Sequence, residues 1–114
     1  MSEGKPRRPH DGDYQLIREG HFEEFNRRRS TAQACDLRGC DLRGMDLTKF
    51  DMAKLDLSDC YLRQADLRGL DLRTCRLAGA SLHAAHVSGV YFPAELAADE
   101  IAMSVQLGTR LRYR

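Results

Sequence analysis

From Cys35 onward the chain repeats itself every five residues: CDLRG CDLRG MDLTK FDMAK LDLSD CYLRQ ADLRG LDLRT CRLAG ASLHA AHVSG VYFPA. The third residue of each unit is apolar twelve times in succession: Leu37, Leu42, Leu47, Met52, Leu57, Leu62, Leu67, Leu72, Leu77, Leu82, Val87 and Phe92. The first residue is apolar or small in every unit, including Cys35, Cys40, Cys60 and Cys75. A step of five turns an α-helix by about 140°, so these leucines would spiral around all of its sides. Along a continuous strand an odd step would send them alternately to opposite faces. Only a chain that runs extended for the first three residues of each unit and then bends can bury both positions, so it must coil around its own leucines.

The fourth and fifth positions, RG, RG, TK, AK, SD, RQ, RG, RT, AG, HA, SG and PA, are rich in small and polar residues suited to a recurring corner. Successive coils can then stack as parallel strands about 4.8 Å apart. The twelve in-register units, residues 35–94, resemble the pentapeptide-repeat family, whose motif is A(D/N)LXX. The resemblance implies an all-β solenoid: a right-handed quadrilateral parallel β-helix with four units per square coil. Twelve units make about three coils, roughly 14 Å tall at the strand spacing. The family's preference for a small first residue is broken by Met45, Phe50, Leu55, Leu70 and Val90. Phe50, Leu70 and Val90 share one face if twenty residues make a turn, and a bulkier core or splayed coils are expected there.

A short stack leaves leucines and strand edges open at both ends, so caps are required. Residues 1–13 are expected to be a disordered tail and residues 14–34 a helical N-terminal cap. Within the latter, YQLIREGHFEEFNRRR forms two short helices broken near Gly20, with Asp13 as N-cap and Leu16, Ile17, Phe22 and Phe25 sealing the first coil. The run Arg27, Arg28, Arg29 reads as a solvated face at a helix C-terminus. Residues 95–114 are expected to hold a helix of about three turns ended by Gly108, then a terminal strand with Leu111 and Tyr113 on one side and Arg110, Arg112 and Arg114 on the other. That strand either lies along the coil or adds to a neighbour's edge to make a homodimer.

The chain's 114 residues allow one core. Its 18 Lys and Arg against 17 Asp and Glu give a net charge of +1, neither the basic balance of a dedicated DNA binder nor that of an acidic decoy. No apolar run long enough to span a membrane and no secretory leader pattern is visible, so a cytoplasmic protein without membrane association is expected. The four cysteines occupy inward first positions and read as buried reduced thiols, with neither disulfide nor zinc spacing. Seven units carry Asp at the second position: Asp36, Asp41, Asp46, Asp51, Asp56, Asp66 and Asp71. A carboxylate repeated at every corner is better explained by hydrogen bonds to turn amides and by nearby Arg than by catalysis, although Asp46, Asp66 and His86 fall in one column. No catalytic residue, metal site or cofactor is expected.

The fourth position places Arg43, Arg63 and His83 in one vertical column with Tyr61 beside it, a docking surface of favoured interface residues. With the basic tail of Arg110, Arg112 and Arg114, these are the candidate interaction residues. The leading expectation is a non-enzymatic, rigid protein–protein interaction module with an unknown protein partner. Two alternatives remain: DNA mimicry toward DNA gyrase, which the resemblance implies for quinolone-resistance members of the family, and polyanion or nucleic-acid binding through the Arg column and tail. Nucleic acid is the less favoured partner, because charges within the repeat balance at eight against eight.

Overall fold

Parallel bridges join Asp41 to Tyr61 and Tyr61 to Ser81, and the same twenty-residue step recurs in Asp46, Asp66 and His86, in Asp56 and Arg76, and in Asp71 and Tyr91. The computed structural model describes residues 5–10, 12–31 and 34–114. One coil is thus four units, and each bridged residue of the ladder is the second of its unit. The hydrogen bonds follow one rule. The second residue donates its N–H down to a first residue, as Tyr61 does to Cys40 (3.0 Å). The third and fifth donate upward, as Leu62 does to Ser81 (2.9 Å) and Gln64 to His83 (2.9 Å). A bond back across the corner, such as Ala65 N–H to Leu62 O (3.0 Å), closes every unit but the last.

The expected strands shrink to single bridged residues, with no longer strand among the described residues. Each unit has only a short extended segment before the corner turns it, so a ladder cannot lengthen along the chain. In nine of the twelve units the fifth residue has positive φ, at Gly39, Gly44, Lys54, Asp59, Gln64, Gly69, Gly79, Ala84 and Gly89. This left-handed turn at the corner explains why glycine recurs there.

Ten of the twelve third-position side chains are buried, Leu62 and Leu67 to within 1% of full burial. Val87 and Phe92, in the last coil, are only partly covered, against the expectation that all twelve would be core. Of the bulky first residues, Phe50 is buried and Leu70 and Val90 are half-buried. Phe50 meets Phe25 and Phe22 edge-on, with ring centroids 5.3 and 6.4 Å apart, so the large residue serves as the seat of the N-terminal cap.

That cap is a pair of helices, α1 (Asp13–Arg18) and α2 (Phe22–Arg29), broken at Gly20 with φ 78°. Ile17 and Phe25 are buried, and so is Tyr14, whose hydroxyl donates to Asp41 O (2.7 Å). Asp13 is the first helical residue and not the N-cap, a place taken by Gly12; its carboxylate accepts from Arg28 (2.8 Å). The arginine run is tied down, Arg27 to Glu24, Arg28 to Asp13 and Arg29 to Ala53 O. Residues 5–10 also depart from the expected disordered tail. Arg7 bridges Cys40, donating to Gly39 O (2.8 Å) and accepting from Asp41 N–H (2.9 Å), which supplies the acceptor that a preceding coil would have given. Residues 1–4 and 11 of that tail, and residues 32–33 of the cap, lie outside the described residues.

At the other end, α3 (Ala98–Leu107) stops at Gly108 with φ 80°. The expected terminal strand makes a single antiparallel bridge, Arg110 to Ser81, within its own chain. Together these segments stand in for the missing next coil. Leu77 N–H donates to Tyr113 Oη (2.9 Å), Gly79 N–H to Leu111 O (2.8 Å), Leu82 N–H to Ser104 Oγ (2.9 Å) and Ala84 N–H to Val105 O (2.9 Å). Leu111 and the side chain of Ser104 are buried, and Ser104 passes its own proton to Thr109 O (2.6 Å).

Two stability outcomes follow. Ser104→Ala strands the buried Leu82 N–H and should cost about 1–3 kcal/mol in urea unfolding. Gly44→Ala, with open space around the new Cβ, should cost about 1 kcal/mol from backbone strain alone. Gly79→Ala should cost a similar amount, because the Asp59 Oδ1 that its Cβ would meet at 2.0 Å is the tip of an exposed side chain that can swing aside. A loss at Gly79 far above that at Gly44 would show that the Asp59 side chain is fixed at that corner.

Candidate interaction surface

The commonest unit here reads x-D-L-R-x, and its local geometry explains the pairing of Asp with Arg. The second-position carboxylate accepts the backbone N–H two residues on, as Asp66 does from Arg68 N–H (3.1 Å). The arginine at that position then folds back onto both oxygens of the same carboxylate. Arg43 chelates Asp41 at 2.8 and 2.9 Å, Arg68 chelates Asp66 at 2.9 and 2.7 Å, and Arg73 chelates Asp71 at 2.9 and 2.8 Å. Arg38 does the same to Asp36 at 3.1 and 3.3 Å. Each guanidinium holds its carboxyl low, at about 2 for Asp36, Asp66 and Asp71. Asp41 lies further below the usual carboxylate range, because Arg8 joins Arg43 on it and the two guanidinium groups outweigh the opposing effect of its burial.

Tyr61 replaces the aspartate in the one unit that reads Y-L-R, and Arg63 is therefore the only fourth-position arginine without a carboxylate in its own unit. Its exposed guanidinium makes no ion pair or hydrogen bond with another described residue. Above it, Arg110 lies over the Tyr61 ring at 5.3 Å and donates to Gly79 O (2.8 Å) and Tyr61 Oη (3.3 Å). Arg43, Tyr61, Arg63, Ser81, Gly108 and Arg110 line one shallow depression on this face.

The structure thus brings Arg43, Tyr61, Arg63 and Arg110 together and separates the other candidates from them. His83 packs beneath Gly108, where a Cβ would lie 3.2 Å from Nδ1, and it does not line the depression. Arg112 turns to Glu100, with its N–H 2.9 Å from Oε2, and lines a different hollow with Arg114 and Tyr113. The side-by-side placement expected of the three tail arginines fails because the tail leaves the Tyr61 face after Arg110. Arg8 and Ser81 were not singled out by spacing, since neither occupies a fourth position. Arg63, by contrast, was distinguishable in the letters alone, by the absence of its aspartate.

The remaining candidates are engaged locally. Asp46 accepts from Thr48 N–H (2.9 Å) and Thr48 Oγ1 (2.6 Å), and no group of three His, Cys, Asp or Glu side chains among the described residues could hold a metal ion. All four cysteines are free; Cys40, Cys60 and Cys75 are buried, while Cys35 is half-buried, less than expected. Burial pushes Cys60 up to about 12, and its thiol donates to Leu37 O (2.9 Å).

A family model described as pentapeptide repeats matches residues 56–92, in eight copies. The chain carries pentapeptide repeats. Bridges from Asp41 to Tyr61 and from Asp46 to Asp66 extend the same register below the matched segment. No curated protein and no solved structure matches the chain.

The depressed carboxyls set an acid limit on stability. Their folded values lie below the unfolded value of about 3.9, so the unfolded chain takes up protons first as acid is added. Stability is complete above about pH 4 and is lost as pH falls toward about 2, where Asp36, Asp66 and Asp71 titrate in the folded chain. Asp41→Asn should lower stability at neutral pH and flatten this acid slope, as read by urea midpoints across the range. An unchanged slope would remove Asp41 from that account.

Proposed function

We propose that this pentapeptide-repeat chain is a non-enzymatic interaction module, a right-handed quadrilateral β-helix that presents fixed side chains to a protein partner. The regular twenty-residue register and the inward leucines support that form. Side chains anchored on such a scaffold lose little entropy on docking. The observation that carries the reading is the depression around Tyr61, where Arg63 departs from the self-neutralising pattern and the tail delivers Arg110 beside it.

DNA mimicry toward gyrase needs rows of free carboxylates, and here Asp36, Asp41, Asp66 and Asp71 are each chelated by an arginine. A nucleic-acid track is disfavoured for the complementary reason, since those same arginines are spent on aspartates. A homodimer through the C-terminal segment would use the outward side of α3, where Leu107 is 69% exposed, because the tail's inward bonds are taken by its own coil.

Affinity capture from the native lysate tests the reading, comparing wild type with an Arg63→Gln, Arg110→Gln double variant of equal thermal stability. Partners retained by the wild type should be lost from the double variant. Identical partner sets would dismiss this face.

A further inference from the structure

The geometry points to a recognition site for a carboxylate supplied by an acidic segment of the partner protein, bound by Arg63 between Arg43 and Arg110. It rests on the interaction-module reading and names the chemistry that the depression takes.

Five units place arginine at the fourth position, at residues 38, 43, 63, 68 and 73. In four of them the unit's own aspartate lies two residues earlier and is chelated by that arginine, with at least one contact of 3.1 Å or less in each. The backbone of the Y-L-R unit follows the same ladder, with Tyr61 bridged below to Asp41 and above to Ser81. Arg63 therefore leaves the corner at the same position of the unit as its four counterparts, without the carboxylate that holds each of them. An incoming Asp or Glu side chain can supply the missing acceptor to the same planar fork.

The surroundings favour an anion. Among the described residues, Arg8, Arg43, Arg63 and Arg110 bring four positive charges to this face beside Asp41, which already accepts from both Arg8 and Arg43. Arg110 is held by Gly79 O and the Tyr61 ring, so little of its freedom is lost when it faces a second anion. A protein carboxylate suits this patch better than a nucleic-acid backbone. The patch is confined to one depression, whereas a polyanion gains from a run of unneutralised cations, and neighbouring arginines are chelated.

The test uses the full chain and a fluorescein-labelled hexaglutamate peptide, read by fluorescence anisotropy at low salt. Wild type should bind saturably. Arg63→Gln should weaken binding about tenfold, which is ~1.4 kcal/mol. Tyr61→Asp, which gives Arg63 an aspartate of its own and restores the D-L-R unit, should weaken it at least as much although every arginine is kept. Arg68→Gln, which removes a chelated arginine from another face, should change it little. Each variant is accepted only with a wild-type thermal melt, and exposed Arg63 can be replaced without disturbing the core.

Unlabelled hexaglutamate should compete, and inorganic phosphate and an oligothymidylate of equal charge should compete poorly. Absence of saturable binding, undiminished binding by Arg63→Gln, or stronger displacement by the oligothymidylate would each overturn the proposal. If the lysate partners depend on Arg63 and Arg110 while hexaglutamate is ignored, the carboxylate assignment fails and the interaction-module reading stands.

Discussion

Everything in this molecule depends on a backbone requirement: the amides on top of each coil must find acceptors nineteen residues further along. Leucine burial selects the coiled path, but apolar contact has no direction and would tolerate coils sliding past one another. The bonds from the second residue down and from the third and fifth residues up fix the register, one corner at a time. A unit of five supplies just enough extended chain for this exchange and then turns. The wall is therefore a set of single rungs and not a set of strands.

The same requirement dictates what the ends must be. A coil without a successor leaves N–H groups beside a packed apolar interior, where an unpaired amide costs about 1–3 kcal/mol. The C-terminal segment answers with four acceptors of different kinds: a tyrosine hydroxyl, a serine hydroxyl and two carbonyls, each set above one of the amides at 77, 79, 82 and 84. Below, Arg7 contributes its peptide group to the same face. Arg7 and Arg110 thus meet opposite ends of the column of Asp41, Tyr61 and Ser81. That placing of Arg110 is why a tail arginine reaches a tyrosine 49 positions earlier in the chain.

The repeat made the coil legible because phase is additive: twelve leucine-type positions at one spacing leave a single geometry that buries them. Burial of Leu37 through Leu82 followed from counting. The ends were legible only as element types. Ile101, Val105 and Gly108 announced a helix and its stop, but nothing in the letters separated Ser104, which is fully buried as an acceptor, from an ordinary polar residue on that helix. Asp13 has the chemistry of an N-cap, yet Arg28, distant in sequence, claims its carboxylate. Arg7 lies in a segment whose composition suggests disorder, and its place on the ladder comes from an edge that only the folded coil creates. The candidate surface was half legible. Spacing put Arg43 and Arg63 in one column, but it treated them as equals and grouped Arg110 with Arg112 and Arg114.

What separates Arg43 from Arg63 is pairing. A β-coil that repeats aspartate at every corner would accumulate negative charge down each face, and like charges stacked one coil apart repel. Placing arginine two residues after aspartate, as four of the seven aspartate units do, neutralises each of those units where it stands. On such a background, affinity for a charged partner is created less by adding a cation than by deleting the carboxylate that quenches one. Replacing Asp with Tyr at position 61 does this and adds an aromatic face on which the tail arginine rests. The exchange gives up the carboxylate's bond to the turn amide but leaves the ladder intact, because the rung is made by the backbone, and the Tyr61 N–H and C=O keep their partners at Cys40 and Leu42. A recognition feature can therefore be written into one unit of the repeat without disturbing the register that holds the others.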